Sequence, residues 1–300
     1  MQYQLLIQDL QRQGISTREQ EPLSRHTTFK IGGPAAVFCE PETEEQLAAA
    51  LRSCKMAGVR CYLLGKGSNV LFADEGFDGV VLCLCRLPGG VRHEGDTLWA
   101  GAGESLARVC VAAAKAGLAG MEFAYGIPGS VGGAVYMNAG AYGGEIKDVL
   151  RAVTFLDETG GEHTLPAAQL QLGYRTSVFE KQPWCVLRAQ FGLTPGDPAE
   201  IGARMQGYAD RRAEKQPLDL PSAGSTFKRP AGAFAGALIQ QCGLRGFAVG
   251  GAAISDKHCG FVVNRGGATC ADVLALTDEV CRIVREKTGY ILEKEIRVVR

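Results

Sequence analysis

One stretch restricts the possible folds of this chain more than any other: residues 117–144, GLAGMEFAYGIPGSVGGAVYMNAGAYGG. It is too rich in glycine for a regular helix, because each interior glycine costs about 1 kcal/mol relative to alanine. It is also too apolar for an exposed linker. Such a segment belongs inside a folded unit, where missing side chains let the backbone approach something closely. Gly126, Pro128, Gly129, Gly132 and Gly133 leave little side chain over a long run, and Ile127, Val131, Ala134 and Val135 alternate with them. Two readings stay open on these residues. The surface suits a flat aromatic system that carries a phosphate, or the segment is a core crossing packed tightly on its neighbours. Glycine is in excess along the whole chain, 40 of 300 residues, about twice the usual share, and the excess is clustered.

The flanking sequence mixes helix and strand, which makes the chain α+β or α/β. Residues 2–12 read as a short amphipathic helix. TEEQLAAALRSCKMAG reads as a better one, with Thr43 and Gln46 as a capping box and Leu47, Leu51 and Cys54 on one face. RCYLL, GVVLCL and TLWAGAG read as strands, and a helix is expected from about 104 to 116. AVTFLD and EHTL around ETGG read as a hairpin, and PWCVLRAQFGL as a further strand. A boundary is expected at TPGDPAE, where Asp197 and Pro198 can open a helix that runs to about 214. A smaller α+β unit should follow: an STF strand, a helix near 233–242, a helix over 271–286 with Val273, Leu276, Val280 and Ile283 as its stripe, and YILEKEIRVV as a closing strand.

Composition excludes several classes. Hydrophobic residues make up 46% and charged residues 21%, which argues against a disordered chain. Lysine plus arginine equals aspartate plus glutamate, 32 each, so no general electrostatic hold on nucleic acid is expected. The 11 cysteines show no paired framework, and most lie in apolar runs. They read as reduced core residues of a cytoplasmic protein. Four histidines, none at ligand spacing from a cysteine cluster, give no metal site. The start shows no signal peptide, and no apolar run approaches the ~18 residues of a membrane span.

Four more stretches can carry chemistry. In LLGKGSNVLF, Gly65 and Gly67 allow a tight fold in which successive N–H groups face an anion; otherwise it is a glycine-rich hairpin. It is neither a dinucleotide fingerprint nor a P-loop, since the third glycine and the Gly-Lys-Ser/Thr are missing. Arg175 in LGYRTSVFE is a surface charge or is aimed at an anion. Ser225 in PSAGSTFKRP is a nucleophile, a phosphate ligand, a proton donor or a turn residue. In LEKEIRVV, a strand would put Glu293, Glu295 and Arg297 on one side and Leu292, Lys294 and Ile296 on the other. Two carboxylates there are most simply solvated.

In combination these stretches resemble one family, the UDP-N-acetylenolpyruvoylglucosamine reductases (UDP-N-acetylmuramate dehydrogenases, MurB). The matching residues are HTTFKIGGPA, LGKGSNVLF, GIPGSVGGAVYMNAGAYGGEIKDV, YRTSVF, PSAGSTFKRP, AGALIQQCGLRG, GGAAISDKHCGFVVN and LEKEIRVV, in the family's order from about residue 24 to 299. Each is weak alone, and their joint order is specific. The resemblance implies an α+β protein: a helical segment over 1–21, an FAD-binding domain of the vanillyl-alcohol-oxidase (PCMH) type over 22–194, and a UDP-sugar-binding α+β domain over 195–300. One subtype of the family carries asparagine where Arg229 stands and a tyrosine-bearing loop after YRxSxF. FEKQPWCVL has no such tyrosine, which places this chain in the subtype without that loop.

The family's reaction implies roles for single residues. NADPH reduces dissociable FAD, and UDP-N-acetylglucosamine enolpyruvate then takes a hydride from flavin N5. Arg175 and Glu295 would stabilise the enolate-like species, with Glu295 donating a hydrogen bond. Ser225 would supply the proton. FAD contacts are implied for Leu64, Gly65, Lys66, Gly67, Ser68, Asn69 and Val70, for Gly126, Ile127, Pro128, Gly129, Ser130, Gly132 and Gly133, and for Asn138 and Ala139. Lys215, Lys228 and Arg229 would meet the substrate. A monomer is expected, with no nucleic-acid or membrane partner. The alternatives are another flavin-dependent oxidase or dehydrogenase of the same superfamily, and a non-catalytic nucleotide-binding protein.

Overall fold

Thr43 opens its helix as the sequence predicts, with one change of partner. In the computed structural model, which describes residues 3–87 and 89–300, Thr43 Oγ1 accepts from the Gln46 N–H at 3.1 Å. The Gln46 side chain accepts from the Glu42 N–H at 2.7 Å rather than from Thr43, so the expected box closes one residue further out. The chain forms two compact units. Met1–Glu19, Val37–Lys66 and Gly79–Arg211 make the first; Gln20–Ala36, Gly67–Asp78 and Arg212–Arg300 make the second.

The first unit holds helices α1 (Gln4–Arg12), α2 (Glu44–Met56), α3 (Leu106–Lys115), α4 (Val131–Tyr136), α5 (Ile146–Val149) and most of α6 (Pro198–Lys215). Gln2, expected in the first helix, lies outside the described residues. Leu47, Leu51 and Cys54 of α2 are buried with Leu6 and Leu10 of α1 and with Val80 and Leu82. Cys61–Leu64 runs parallel to Val80–Cys83. An antiparallel sheet has the order Glu162–Pro166, Leu150–Leu156, Cys185–Gly192, Thr97–Gly101, Val91–Glu94. Its face with Leu98, Val153, Phe155, Ala189 and Phe191 shares a core with Leu106, Val109 and Cys110 of α3 and Val131 and Val135 of α4.

Helix α4 corrects the expectation that the glycine-rich segment holds no helix. VGGAVY is helical because Ser130 caps it, its Oγ accepting from the Gly133 N–H at 3.4 Å. Val131, Ala134 and Val135 are buried along one side. A Cβ on Gly132 would lie 3.0 Å from the Ala102 Cβ, so glycine lets the helix sit close to that chain. Tertiary packing outweighs the propensity cost. The cysteines need a second correction: Cys61 and Cys85 are exposed and Cys281 is half-buried.

The second unit contains α7 (Ala235–Gln241) and α8 (Cys270–Thr288). They are buried with an antiparallel sheet ordered Ser222–Ser225, Phe261–Asn264, Ala252–Ile254, Ala248–Val249. The expected STF strand is thus shifted to SAGS. The closing strand is shorter than expected. Only Arg297–Val299 forms one, parallel to Val70–Phe72, and Lys294 makes an isolated bridge with Phe227. Leu292 and Ile296 are 6% and 4% exposed while Lys294 and Glu295 are both half-buried, so the alternation holds for the two apolar residues and not for the rest.

Helix α8 starts at a reciprocal box between Thr269 and Asp272 and stops at Gly289 with φ +77°. Asp74 adds a cap from a distant segment: Oδ1 accepts from the Cys270 N–H at 2.7 Å and Oδ2 from the Ala271 N–H at 2.9 Å. Asp74→Ala is expected to cost about 1 kcal/mol. A chemical-denaturation midpoint equal to wild type would contradict this. Among the described residues, no helix is long and apolar enough to cross a membrane.

Candidate active site

Arg175 occupies an unusual backbone position in the first unit. Gly173 and Thr176 exchange hydrogen bonds of 3.1 and 3.4 Å around the Tyr174–Arg175 turn. Arg175 has φ +56°, a left-handed conformation that costs a non-glycine residue on the order of 1–2 kcal/mol. Such strain persists only where the surroundings fix it, and it clusters at functional sites. Its Nη2 donates to Gly140 O at 3.1 Å. The guanidinium lies 5.1 Å from the centroid of the Tyr174 ring. It is half-buried, so it is neither a solvated surface charge nor sealed in the core.

The glycine-rich segment belongs to the same unit. Gly126, Ile127, Gly129 and Gly132 are half-buried, and Pro128 and Gly133 are exposed. Backbone bonds pin this run: the Gly132 N–H to Ala102 O at 2.9 Å and the Leu106 N–H to Gly129 O at 3.2 Å. Gly65 meets the same segment, since a Cβ there would fall 2.5 Å from Ser130 Oγ. Leu64 is buried at the end of its strand, and Lys66 is exposed. Ala139 is held at both backbone groups, by Ala134 O at 2.8 Å and the Ile146 N–H at 2.9 Å. Asn138 is fully buried and its amide is spent within the protein.

The second unit brings Ser225 and Glu295 together. Gly224 has φ +75°, and the register slips between Ser222 and Ser225 opposite Phe261–Asn264. A bulge of this kind can change the direction of the side chain it carries, here Ser225. Ser225 is exposed, and among the described residues no protein group bonds its hydroxyl. His258 is no base for it. Its Nδ1 accepts from the Gly260 N–H at 3.0 Å, its ring meets Phe261 edge-on, and burial holds it below the usual histidine range. The nucleophile reading of Ser225 thus has no general base to support it. The Glu295 N–H donates to Thr226 O at 2.8 Å, which places its backbone one residue from Ser225.

Asn69 reaches the same place: its Nδ2 donates to Glu295 O at 3.3 Å, and its O accepts from the Arg297 N–H at 3.1 Å. Gly67, φ +60°, is buried against His26 and Thr27. Ser68 is half-buried, and Val70 is buried as the first residue of its strand. Among the described residues, the backbone N–H groups of Gly65 and Lys66 in the first unit have no protein acceptor. The same holds for Gly67, Ser68 and Asn69 in the second. Of these five residues Gly67 is buried, and a buried N–H group is rarely left so. Lys228 pairs with Glu293 at 3.2 Å, and the Arg229 guanidinium lies 4.1 Å from the Phe234 ring centroid. Lys215, the last residue of α6, is exposed.

Sequence reasoning passed over three residues that build these sites. Thr226 is 1% exposed; its Oγ1 accepts from the Val262 N–H at 2.9 Å while its O holds Glu295. Thr28 binds Ser222 O at 2.7 Å and, through its N–H, Gly67 O at 3.1 Å. Ser177, 2% exposed, donates to Tyr136 O at 2.7 Å. All three lie in the quoted motifs, but their partners are distant in sequence, so nothing local marks their roles.

Residues 34–165 match the FAD binding domain family, and residues 216–299 match the C-terminal domain of UDP-N-acetylenolpyruvoylglucosamine reductase. A reductase of that name from Lachnoclostridium phytofermentans is 48% identical over 283 residues, covering 93% of this chain and 91% of its own length. One from Clostridium botulinum is 44% identical over 297 residues, covering 99% and 97%. The crystal structure of the Thermus caldophilus enzyme superposes with a TM-score of 0.79 at 37% identity, covering 95% of this chain and 99% of that one. A berberine-bridge-enzyme-like protein of Physcomitrella patens shares the fold of part of the chain, with a TM-score of 0.51 at 18% identity over 63% of this chain and 44% of its own. The chain belongs to the UDP-N-acetylenolpyruvoylglucosamine reductase family.

Proposed function

We propose that this chain is an FAD-dependent oxidoreductase of peptidoglycan synthesis. It reduces UDP-N-acetylglucosamine enolpyruvate to UDP-N-acetylmuramate in the cytoplasm, with NADPH as electron donor. The observation that carries this reading is an exposed serine, its hydroxyl bonded to no protein group among the described residues, one residue from the backbone anchor of Glu295, in a chain of this family. We assign flavin binding to the domain over 22–194 and sugar binding to that over 195–300.

The residues fit FAD. Three consecutive N–H groups of the second unit, Gly67 to Asn69, have no protein acceptor among the described residues, which suits a pyrophosphate. The Gly126–Gly133 run offers backbone and small residues to a flat ring, and Ser130 keeps it in shape. No histidine lies in either stretch, which supports non-covalent attachment. When bound, the flavin supplies hydride to the enolpyruvyl double bond.

The chain's own residues handle the charge and the proton. Hydride addition at the terminal carbon leaves negative charge on the carbon that bears the carboxylate. Arg175 offsets that charge from a backbone fixed in advance, so little reorganisation accompanies the reaction. Glu295, as a hydrogen-bond donor, shares the task. Ser225 gives its hydroxyl proton to the carbon and is reprotonated by water. Lys215, Lys228 and Arg229 serve the anionic parts of the substrate. The Lys228–Glu293 pair has side chains 39% and 68% exposed, so exchanging it for a diphosphate costs little.

The direct test is the visible spectrum of the purified protein, first under NADPH without air and then with the enolpyruvyl UDP-sugar. Flavin bands should bleach and return. Reoxidation by oxygen alone would favour a different flavoenzyme, and a protein that cannot be loaded with FAD would overturn the assignment.

A further inference from the structure

We infer that Asn138 is a positioning residue for Arg175, its buried amide fixing the turn that presents the guanidinium. The inference rests on the function proposed above, and it departs from the flavin contact that the family pattern suggests for Asn138. Arg175, φ +56°, cannot hold a left-handed backbone unaided. Beside the Gly173–Thr176 bonds, three contacts tie its turn to residues 136–140, at the end of α4 and just beyond it. Asn138 Nδ2 donates to Gly173 O at 2.9 Å at the start of the turn. Ser177 Oγ donates to Tyr136 O at 2.7 Å beyond its end. Arg175 Nη2 donates to Gly140 O at 3.1 Å.

Asn138 is 0% exposed and itself has φ +42°. Its second amide hydrogen goes to Glu145 Oε2 at 2.7 Å, and its oxygen accepts from the Lys147 N–H at 2.9 Å. These partners fix which end is oxygen: a backbone N–H requires an acceptor on one side, and a carbonyl requires a donor on the other. With both amide hydrogens engaged and the side chain fully buried, Asn138 has no donor left for a cofactor. What it controls is the height and tilt of Gly173, and through it the Arg175 turn. A displacement of about 1 Å at such a group costs up to ~10²-fold.

The test uses FAD-saturated holoenzyme. Asn138→Ala should slow reoxidation by the enolpyruvyl UDP-sugar about 10- to 100-fold and leave bleaching by NADPH within about threefold. Added to Arg175→Ala, it should slow the sugar step little further, because what it positions is gone. Multiplying losses, or weaker FAD affinity with normal reoxidation at saturating FAD, would overturn the inference. If the alanine variant does not fold, Asn138→Asp carries the test. It keeps the shape and the acceptor for Lys147 but sets oxygen against Gly173 O and Glu145. Burial and the Glu145 carboxylate favour its protonation, against the Lys147 ammonium that pairs with Glu145 at 2.5 Å, and protonation restores one donor. Its sugar step should therefore recover as the pH falls from about 8 to about 6, and its NADPH step should not. A pH profile like wild type would count against the inference. A wild-type sugar step in Arg175→Ala alone would sink the proposed role of Arg175 itself. A slow Arg175→Ala beside a normal Asn138→Ala would sink only the positioning.

Discussion

Ser225→Ala is expected to slow flavin reoxidation by the UDP-sugar ~10²- to 10⁴-fold and to leave bleaching by NADPH within about threefold of wild type. The separation follows from where the serine sits. Its hydroxyl is exposed and bonds no protein group among the described residues, so alanine leaves no orphaned partner. Its strand pairs through the backbone with Phe261, and the bulge is set by Gly224, φ +75°; alanine changes neither. Stability should therefore shift by less than about 0.5 kcal/mol. Anaerobic stopped-flow traces of each half-reaction make the measurement. A wild-type sugar step would remove Ser225 as the proton donor. Equal loss in both steps would mean that the substitution disturbs the flavin. Ser225→Cys keeps an acidic hydrogen at the same place and should recover part of the rate, which separates proton donation from shape.

Much of this arrangement is legible in the sequence where the signal is local. Helix α8 is read from its apolar stripe within two residues at either end, and the structure shows Thr269, Asp272 and Gly289 setting its limits. The stripe drifts, however: Val284 is 0% exposed and Ile283 only partly buried, since 3.6 residues per turn do not keep a fixed face over nineteen. Helix α4 is missed because two glycines argue against it, and only the close approach to Ala102 reveals why Gly132 is there. The candidate catalytic residues stand out by motif. Their supports do not, because a buried threonine or asparagine looks like any other until its partner is known. Thr226 joins Ser225 to Glu295 across some seventy residues of chain, and no periodicity reports a contact of that kind.

Gly67→Ala is expected to yield protein that purifies without flavin, with FAD affinity reduced about 100-fold or more. Gly67 has φ +60°, and a Cβ there would lie 2.1 Å from His26 O and 2.8 Å from the Thr27 Cα. Those atoms are backbone and cannot rotate away. Nor can they retreat easily, since the Thr28 N–H holds Gly67 O at 3.1 Å and Thr28 Oγ1 holds Ser222 O at 2.7 Å. The loop must therefore move, and the N–H groups of Gly67, Ser68 and Asn69 move with it. Hydrogen bonds to a charged group contribute about 1.5–3 kcal/mol each, so losing two accounts for the expected weakening. A control isolates the cause: Gly289, φ +77°, has nothing within 4 Å of its Cβ position. Gly289→Ala carries the same left-handed strain, about 1 kcal/mol, and should weaken the end of α8 while binding FAD as wild type does. Fluorescence titration of both apoproteins decides between clash and strain. If Gly67→Ala takes up FAD normally, residues 67–69 do not hold the pyrophosphate, and the flavin must be bound by the Gly126–Gly133 run without them.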